Sequence, residues 1–166
     1  MLSIKRRLAE ARESDGGFTL IELAVVILII GILLAIAIPT FLGIRKNAQN
    51  KSAQSSVRNA LVAAKGAASD DGTYDKVVAG TLTAAAPETS FVGTGSTGPK
   101  VVSFDVDTTT HTITFAARSQ SGDCYLLQDN LDDTGTVATN QYGKIANSTT
   151  ATCIAKASGA TFTNKW

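Results

Sequence analysis

Few side chains in this 166-residue sequence are set out in a pattern that does chemistry. The single histidine, His111, lies among threonines in a stretch whose alternation predicts a strand. No nucleophile is placed beside it by spacing, so a hydrolytic constellation has no support. One histidine and two cysteines, Cys124 and Cys153, exclude multi-His or multi-Cys metal sites within the chain. Cys124 and Cys153 stand twenty-nine positions apart, which excludes a CxxC redox motif. Gly93 to Gly98 matches G-x-G-x-x-G, yet Pro99 and a predicted strand follow it, leaving no helix N-terminus to receive a phosphate. Asp129, Asp132 and Asp133 beside Gly135 offer calcium-type oxygens, but their spacing fails the EF-hand pattern and reads as a polar turn. Asn147-Ser148-Thr149 is formally a glycosylation acceptor. The expectation is a protein that is not an enzyme, with no cofactor and no metal.

The remaining reactive group is Glu22, and its chemistry comes from its surroundings. Leu23 to Ile38 is a run of sixteen apolar residues, and the stretch without charge extends through twenty-two residues to Ile44. As a helix, this stretch reaches ~33 Å, against a bilayer hydrocarbon core of ~30 Å. A carboxylate in a membrane helix costs ~2.5 to 3.5 kcal/mol, so Glu22 calls for a partner, unless it snorkels to the interface. Gly31 and Pro39 interrupt the same helix, Gly31 through low propensity and Pro39 through its missing N–H, and they predict a kink. Basic residues flank the run on both sides, Lys5, Arg6 and Arg7 before it and Arg45 and Lys46 after it. Charge asymmetry therefore leaves orientation open. A secretory signal peptide is the competing reading, with Ala35-Ile36-Ala37 as a cleavage site that would release a chain beginning at Ile38. Against it, the segment before the run is long, mixed in charge, and ends in Gly16-Gly17.

The elements beyond the run must carry whatever is presented outside the membrane. Ala53, Val57, Ala60, Leu61, Ala64 and Ala68 recur at three- and four-residue spacing, one face of a helix able to cover a sheet. Residues 45–69 carry five bases and no acid, whereas residues 70–166 carry ten acids and six bases. A basic stalk joined to an acidic head suits complementary contacts between stacked copies. The basic stretch lacks interleaved aromatics and the whole chain has a net charge of +1, so no specific nucleic-acid partner is expected. Asp70-Asp71-Gly72 predicts the helix stop. Strands are predicted over Val101 to Asp107 and His111 to Ala117, joined by a hairpin at Thr108 to Thr110, with others near Cys124 to Gln128 and Thr152 to Lys156. Val102, Phe104 and Val106 alternate with Ser103, Asp105 and Asp107, so the two sets are expected on opposite faces. The fold class is α+β, a long N-terminal helix packed on a small antiparallel head.

The junction ahead of the apolar run resembles the type IV prepilin signature. Gly16-Gly17-Phe18-Thr19-Leu20-Ile21-Glu22-Leu23 has a hydrophilic leader ending in Gly, then Phe, then Glu four residues on at the head of an apolar helix. The resemblance continues through Gly31, Pro39 and Phe41 to Gln49, and reaches Asp71-Gly72-Thr73-Tyr74. It implies the type IV pilin fold, cleavage between Gly17 and Phe18 by a prepilin peptidase, N-methylation of Phe18, and a mature chain of 149 residues. It also implies that Glu22 neutralises the new α-amino group of Phe18, most usefully that of a neighbouring subunit, as helices leave lipid for a filament core. The implied domains are a removed leader, residues 1–17, a transmembrane and filament-core helix, 18–44, an amphipathic helix, 45–69, and a head, 70–166, closed by a Cys124–Cys153 disulfide. The implied partners are further copies in a helical filament, the peptidase and methyltransferase, an assembly platform protein, separate ATPases, and the membrane. The implied path runs from single-pass precursor in the inner membrane to surface pilus. Two alternatives remain at this point, a type II secretion or competence pseudopilin and a membrane-tethered or secreted ligand-binding domain.

Overall fold

The computed structural model describes residues 17–131, 137–156 and 160–166. Of the expected leader only Gly17 lies within them, and the Asp132, Asp133 and Gly135 turn lies outside. The chain divides into two compact units, residues 1–43 and 44–166.

Helix α1, Leu20–Ala68, contributes to both units. In the second unit its buried residues are Ala53, Gln54, Val57, Ala60, Leu61, Ala63, Ala64 and Ala68. Six of these are the residues picked out by the helical spacing, and nearly all are alanine or valine, small enough to bring the helix close against a sheet. Gly72, with φ of 71°, turns the chain after the helix and donates its N–H to the Ala68 carbonyl at 2.9 Å. That left-handed conformation is open to glycine at little cost. A short helix α2, Ala79–Ala85, follows, and its buried Leu82 joins the core.

Six strands then form one sheet in sequence order, β1 (Ser90–Val92), β2 (Val101–Asp107), β3 (Thr112–Arg118), β4 (Cys124–Leu131), β5 (Val137–Ile145) and β6 (Phe162–Thr163). β1 pairs with β2 in parallel, and every later pair is antiparallel. The register aligns Phe104, Phe115, Leu127 and Tyr142 across four strands. Together with Val102, Ile113, Ala117 and Tyr125, they pack with the buried α1 residues into the main core. Asp107 Oδ1 accepts the Thr109 and Thr110 N–H groups and fixes the β2–β3 turn.

The structure corrects two expectations here. His111 ends the turn at φ of 52° instead of starting β3. Thr152 to Lys156 is an irregular segment, not a strand. Its buried Cys153 and Ala155 lie over the second face of the sheet, where Ala155 N–H donates to Ser103 Oγ at 3.0 Å. Under that cover Ser103, on the face opposite Val102, is fully buried. Ala116, Leu126, Cys124 and Cys153 form a second apolar cluster there, with Phe162 packed against it.

Candidate functional site

The N-terminal site begins where the helix begins. Gly17, Phe18 and Thr19 are non-helical and exposed, and Leu20 is the first helical residue. Thr19 and Glu22 close a reciprocal cap. The Thr19 N–H and hydroxyl donate to Glu22 Oε2 at 2.9 and 2.8 Å, and the Glu22 N–H donates to Thr19 Oγ1 at 3.3 Å. The Thr-x-x-Glu spacing is the capping-box signature, and it satisfies two backbone donors that a helix start otherwise leaves open. These three bonds leave Glu22 Oε1 without a partner among the described residues, so the carboxylate keeps an oxygen for a further cation while it caps its own helix. The sequence reading named Glu22 and passed over Thr19, although the capping-box pattern was legible.

Behind this cap, α1 exposes a continuous apolar surface. Its most apolar eighteen-residue window has a mean hydropathy of 3.1 and none of it is buried, and it is the one helix among the described residues long and apolar enough to cross a membrane. Gly31 and Pro39 both lie inside the helix. Thr40, next to Pro39, donates its hydroxyl to the Ile36 carbonyl at 3.1 Å. An 83% exposed Phe18, a capped glutamate and an apolar span thus follow one another directly.

A family model described as the prokaryotic N-terminal methylation motif matches residues 14–38. The chain carries a prepilin-type methylation motif. This motif is typical of the class III signal peptides of type IV pilins, and its presence supports a pilin-like or pseudopilin-like precursor. Motif and apolar helix together suggest a membrane-anchored precursor, and the motif is a structural pilin-type one. The long helix on a mostly antiparallel sheet is consistent with the pilin fold. The chain matches no curated protein and no solved structure.

Beyond the methylation motif, the residues with chemical potential are spent on holding the head together. Cys124 and Cys153 form a disulfide with Cα atoms 5.4 Å apart. Asp123, next to Cys124, pairs with Lys144 Nζ at 3.0 Å and accepts the Asn147 N–H at 3.3 Å. Burial pushes the Asp123 carboxyl up, but bonding from Lys144 and from the Asn147 amide outweighs it and holds the group below the usual carboxylate range. The bond to Asp123 pushes the Lys144 ammonium up, against the effect of its own burial.

Tyr74 of the Asp-Gly-Thr-Tyr turn is fully buried and donates its hydroxyl to Asp129 Oδ2, which Lys65 Nζ also approaches at 3.3 Å. Burial first, and then the Asp129 carboxylate, push the Tyr74 phenol well above its ordinary range. Asp129 therefore joins the turn, the helix and β4, and does not stand in a polar turn as expected. His111 Nδ1 lies 3.0 Å from Asp75 Oδ2, tying the β2–β3 turn to the same loop.

The Gly-rich stretch proves to be a packing device. A Cβ on Gly95 would meet the Thr150 carbonyl oxygen at 1.7 Å, so this approach of two loops requires glycine. Ser96 N–H donates to the Cys153 carbonyl at 2.7 Å, and its hydroxyl donates to the Val101 carbonyl at 2.5 Å. In the formal glycosylation acceptor, Asn147 is exposed with φ of 50°, and Ser148 is buried with its hydroxyl bonded to the Gly122 carbonyl at 3.1 Å.

Proposed function

We propose that the chain is the structural subunit of a type IV pilus. Prepilin peptidase cleaves between Gly17 and Phe18, Phe18 is N-methylated, and residues 18–44 hold the 149-residue product in the inner membrane until it is drawn into a helical surface filament. The observation that carries the reading is a fully exposed apolar helix headed by Glu22, running on as the helix on which a disulfide-closed head is packed. A buried span would belong to a soluble core, whereas an exposed one needs lipid or like helices around it. Both are supplied in turn if the subunit moves from the membrane pool to a bundle of such helices.

Glu22 serves this transfer electrostatically. Its unused oxygen meets the α-amino group that cleavage creates on a neighbour's Phe18, so two charges that each oppose burial cancel. Gly31 and Pro39 weaken the helix ladder between them, which allows the bundled helices to adjust as they pack. Residues 45–69 and the head beyond Ser69 form the outer layer. An assembly platform protein and separate ATPases supply the work.

The experiment is the intact mass and N-terminal peptide of the protein from the membrane and surface-shear fractions of its host. A chain beginning at N-methylated Phe18 and enriched in sheared filaments supports the proposal. The same processed chain confined to the membrane fraction assigns it to a secretion or competence pseudopilus instead. A chain beginning at Ile38 in the medium refutes both, and leaves a secreted binding domain.

A further inference from the structure

The head carries a groove that the filament reading does not by itself account for. It lies between the exposed side of α1 and the end of α2, has a volume of about 380 Å³, and is lined by Val62, Ala63, Gly66, Ala85, Ala86 and Glu88 among others. Val62, on the exposed side of α1, is 71% exposed. Gly66, one turn further along, has open space where a Cβ would stand, so another helix can approach its backbone. Glu88 closes the groove with a negative charge. Asp71, Asp75, Asp105, Asp123 and Asp129 all have ion pairs within the chain, whereas Glu88 has none among the described residues.

A complementary surface exists on the same chain. Phe41, Ile44 and Arg45 fall three and four residues apart, on one stripe of α1. Phe41 and Ile44 are 64% and 63% exposed, and Arg45 is exposed with no ion pair among the described residues. An apolar pair followed by one cation is what a groove with an apolar floor and one anion at its edge accepts. The geometry points to docking of this stripe from a second copy into the groove, with Phe41 and Ile44 on Val62 and Ala63, and Arg45 against Glu88.

This inference rests on the filament reading and adds a specific contact to it. Stripe and groove are different surfaces, so the contact is heterologous and propagates without closing, as a helical filament requires. Matching Ile44 to Val62 on parallel helices sets the two copies about 27 Å apart along the axis, at ~1.5 Å per residue. Pairing Glu22 with a neighbour's Phe18 sets a stagger of about one helical turn, ~6 Å.

The test compares the ratio of sheared to membrane-bound subunit for the wild type, Glu88→Lys, Arg45→Glu and the double variant, with the thermal midpoint of each recorded. Each single reversal is expected to lower the ratio about tenfold at unchanged midpoint, and the double variant to recover it to within about threefold of wild type. A wild-type ratio for either single variant, or a double variant no better than the singles, overturns the docking. If Arg45 serves only an anionic lipid surface, Glu88→Lys keeps the wild-type ratio and the double variant stays at the level of Arg45→Glu. As a measurement independent of charge, Ile44→Cys with Val62→Cys on one chain should give disulfide-linked multimers when assembled filaments are oxidised. Filaments formed in normal yield without such multimers likewise overturn the docking and leave the filament reading intact. A wild-type chain that never reaches the sheared fraction overturns the filament reading itself.

Discussion

Thr19 and Glu22 cap one another at the first turn of α1, so the glutamate at the head of the apolar helix has a local role as well as a charge. The two roles separate by substitution. Glutamine can still accept the Thr19 N–H, as capping boxes allow, but carries no charge. Glu22→Gln is therefore expected to be cleaved and membrane-inserted normally and to be lost from sheared filaments. Thr19→Ala keeps the charge and removes the hydroxyl half of the cap, and is expected to assemble while its first turn frays. Amide exchange at Leu20 to Leu23 in micelles, alongside filament yield, checks both.

The disulfide bridges β4 and the irregular segment that covers the second face of the sheet. Closing a loop of twenty-nine residues is worth about 3 to 4 kcal/mol in the chain-entropy model. Cys124→Ser with Cys153→Ser should lower the unfolding free energy by that order. Urea denaturation of the processed protein in detergent measures it, with a loss below about 1 kcal/mol counting against a load-carrying bridge.

Trp166 folds back over the sheet. Its ring stacks edge-on with Tyr125 and Tyr142, centroids 5.8 and 4.6 Å away, and its Nε1–H donates to the Gly143 carbonyl at 2.9 Å. The Arg58 guanidinium lies 4.9 Å from the ring centroid, so α1 is tied to the last residue of the chain. Trp166→Ala is expected to cost about 2 kcal/mol, from lost aromatic burial, one hydrogen bond and one cation–π contact. As the chain has one tryptophan, its fluorescence reports this docking directly, and Arg58→Ala should shift the emission to the red.

The pH dependence has a definite sign at each end. The folded-state acidity of Asp123 is lowered, so its contribution is present above the unfolded carboxylate pKa and fades as pH falls through the folded value. The Tyr74 phenol and the Lys144 ammonium are both raised, so their contributions are complete below about pH 10 and fade as pH rises beyond it. Stability should therefore be flat near neutrality and fall below about pH 4 and above about pH 10. Tyr74→Phe should remove part of the alkaline slope and leave the acid limb in place, as read by thermal midpoints across pH.

Much of this arrangement was legible because it is written in spacing. The stripe from Ala53 to Ala68 announced the buried face of α1, since helical period and side-chain size suffice to determine which side can meet a sheet. The alternation in Val101 to Asp107 placed β2, and Gly72 marked the turn after the helix. The junction from Gly17 to Glu22 was legible for a different reason: a charge at the head of an otherwise unbroken apolar run has few physical explanations.

The sequence by itself determined where the unbroken apolar run lies, which later residues of its helix face inward, and which chain elements are helix and strand around residues 101–128. Each of these follows from local periodicity, which the backbone imposes within a few residues. Tertiary structure decided the rest. β5 escaped a periodicity reading because its Gln141, Gly143 and Lys144 are held by a β4 ladder, not by an apolar alternation. The false strand at Thr152 to Lys156 has buried residues because it lies across Ser103 and Cys124, and nothing local to it records that cover. Asp129 looks like a turn residue until Tyr74 and Lys65, fifty-five and sixty-four positions earlier, converge on one of its oxygens. Contacts between residues so far apart are formed only when the whole core closes.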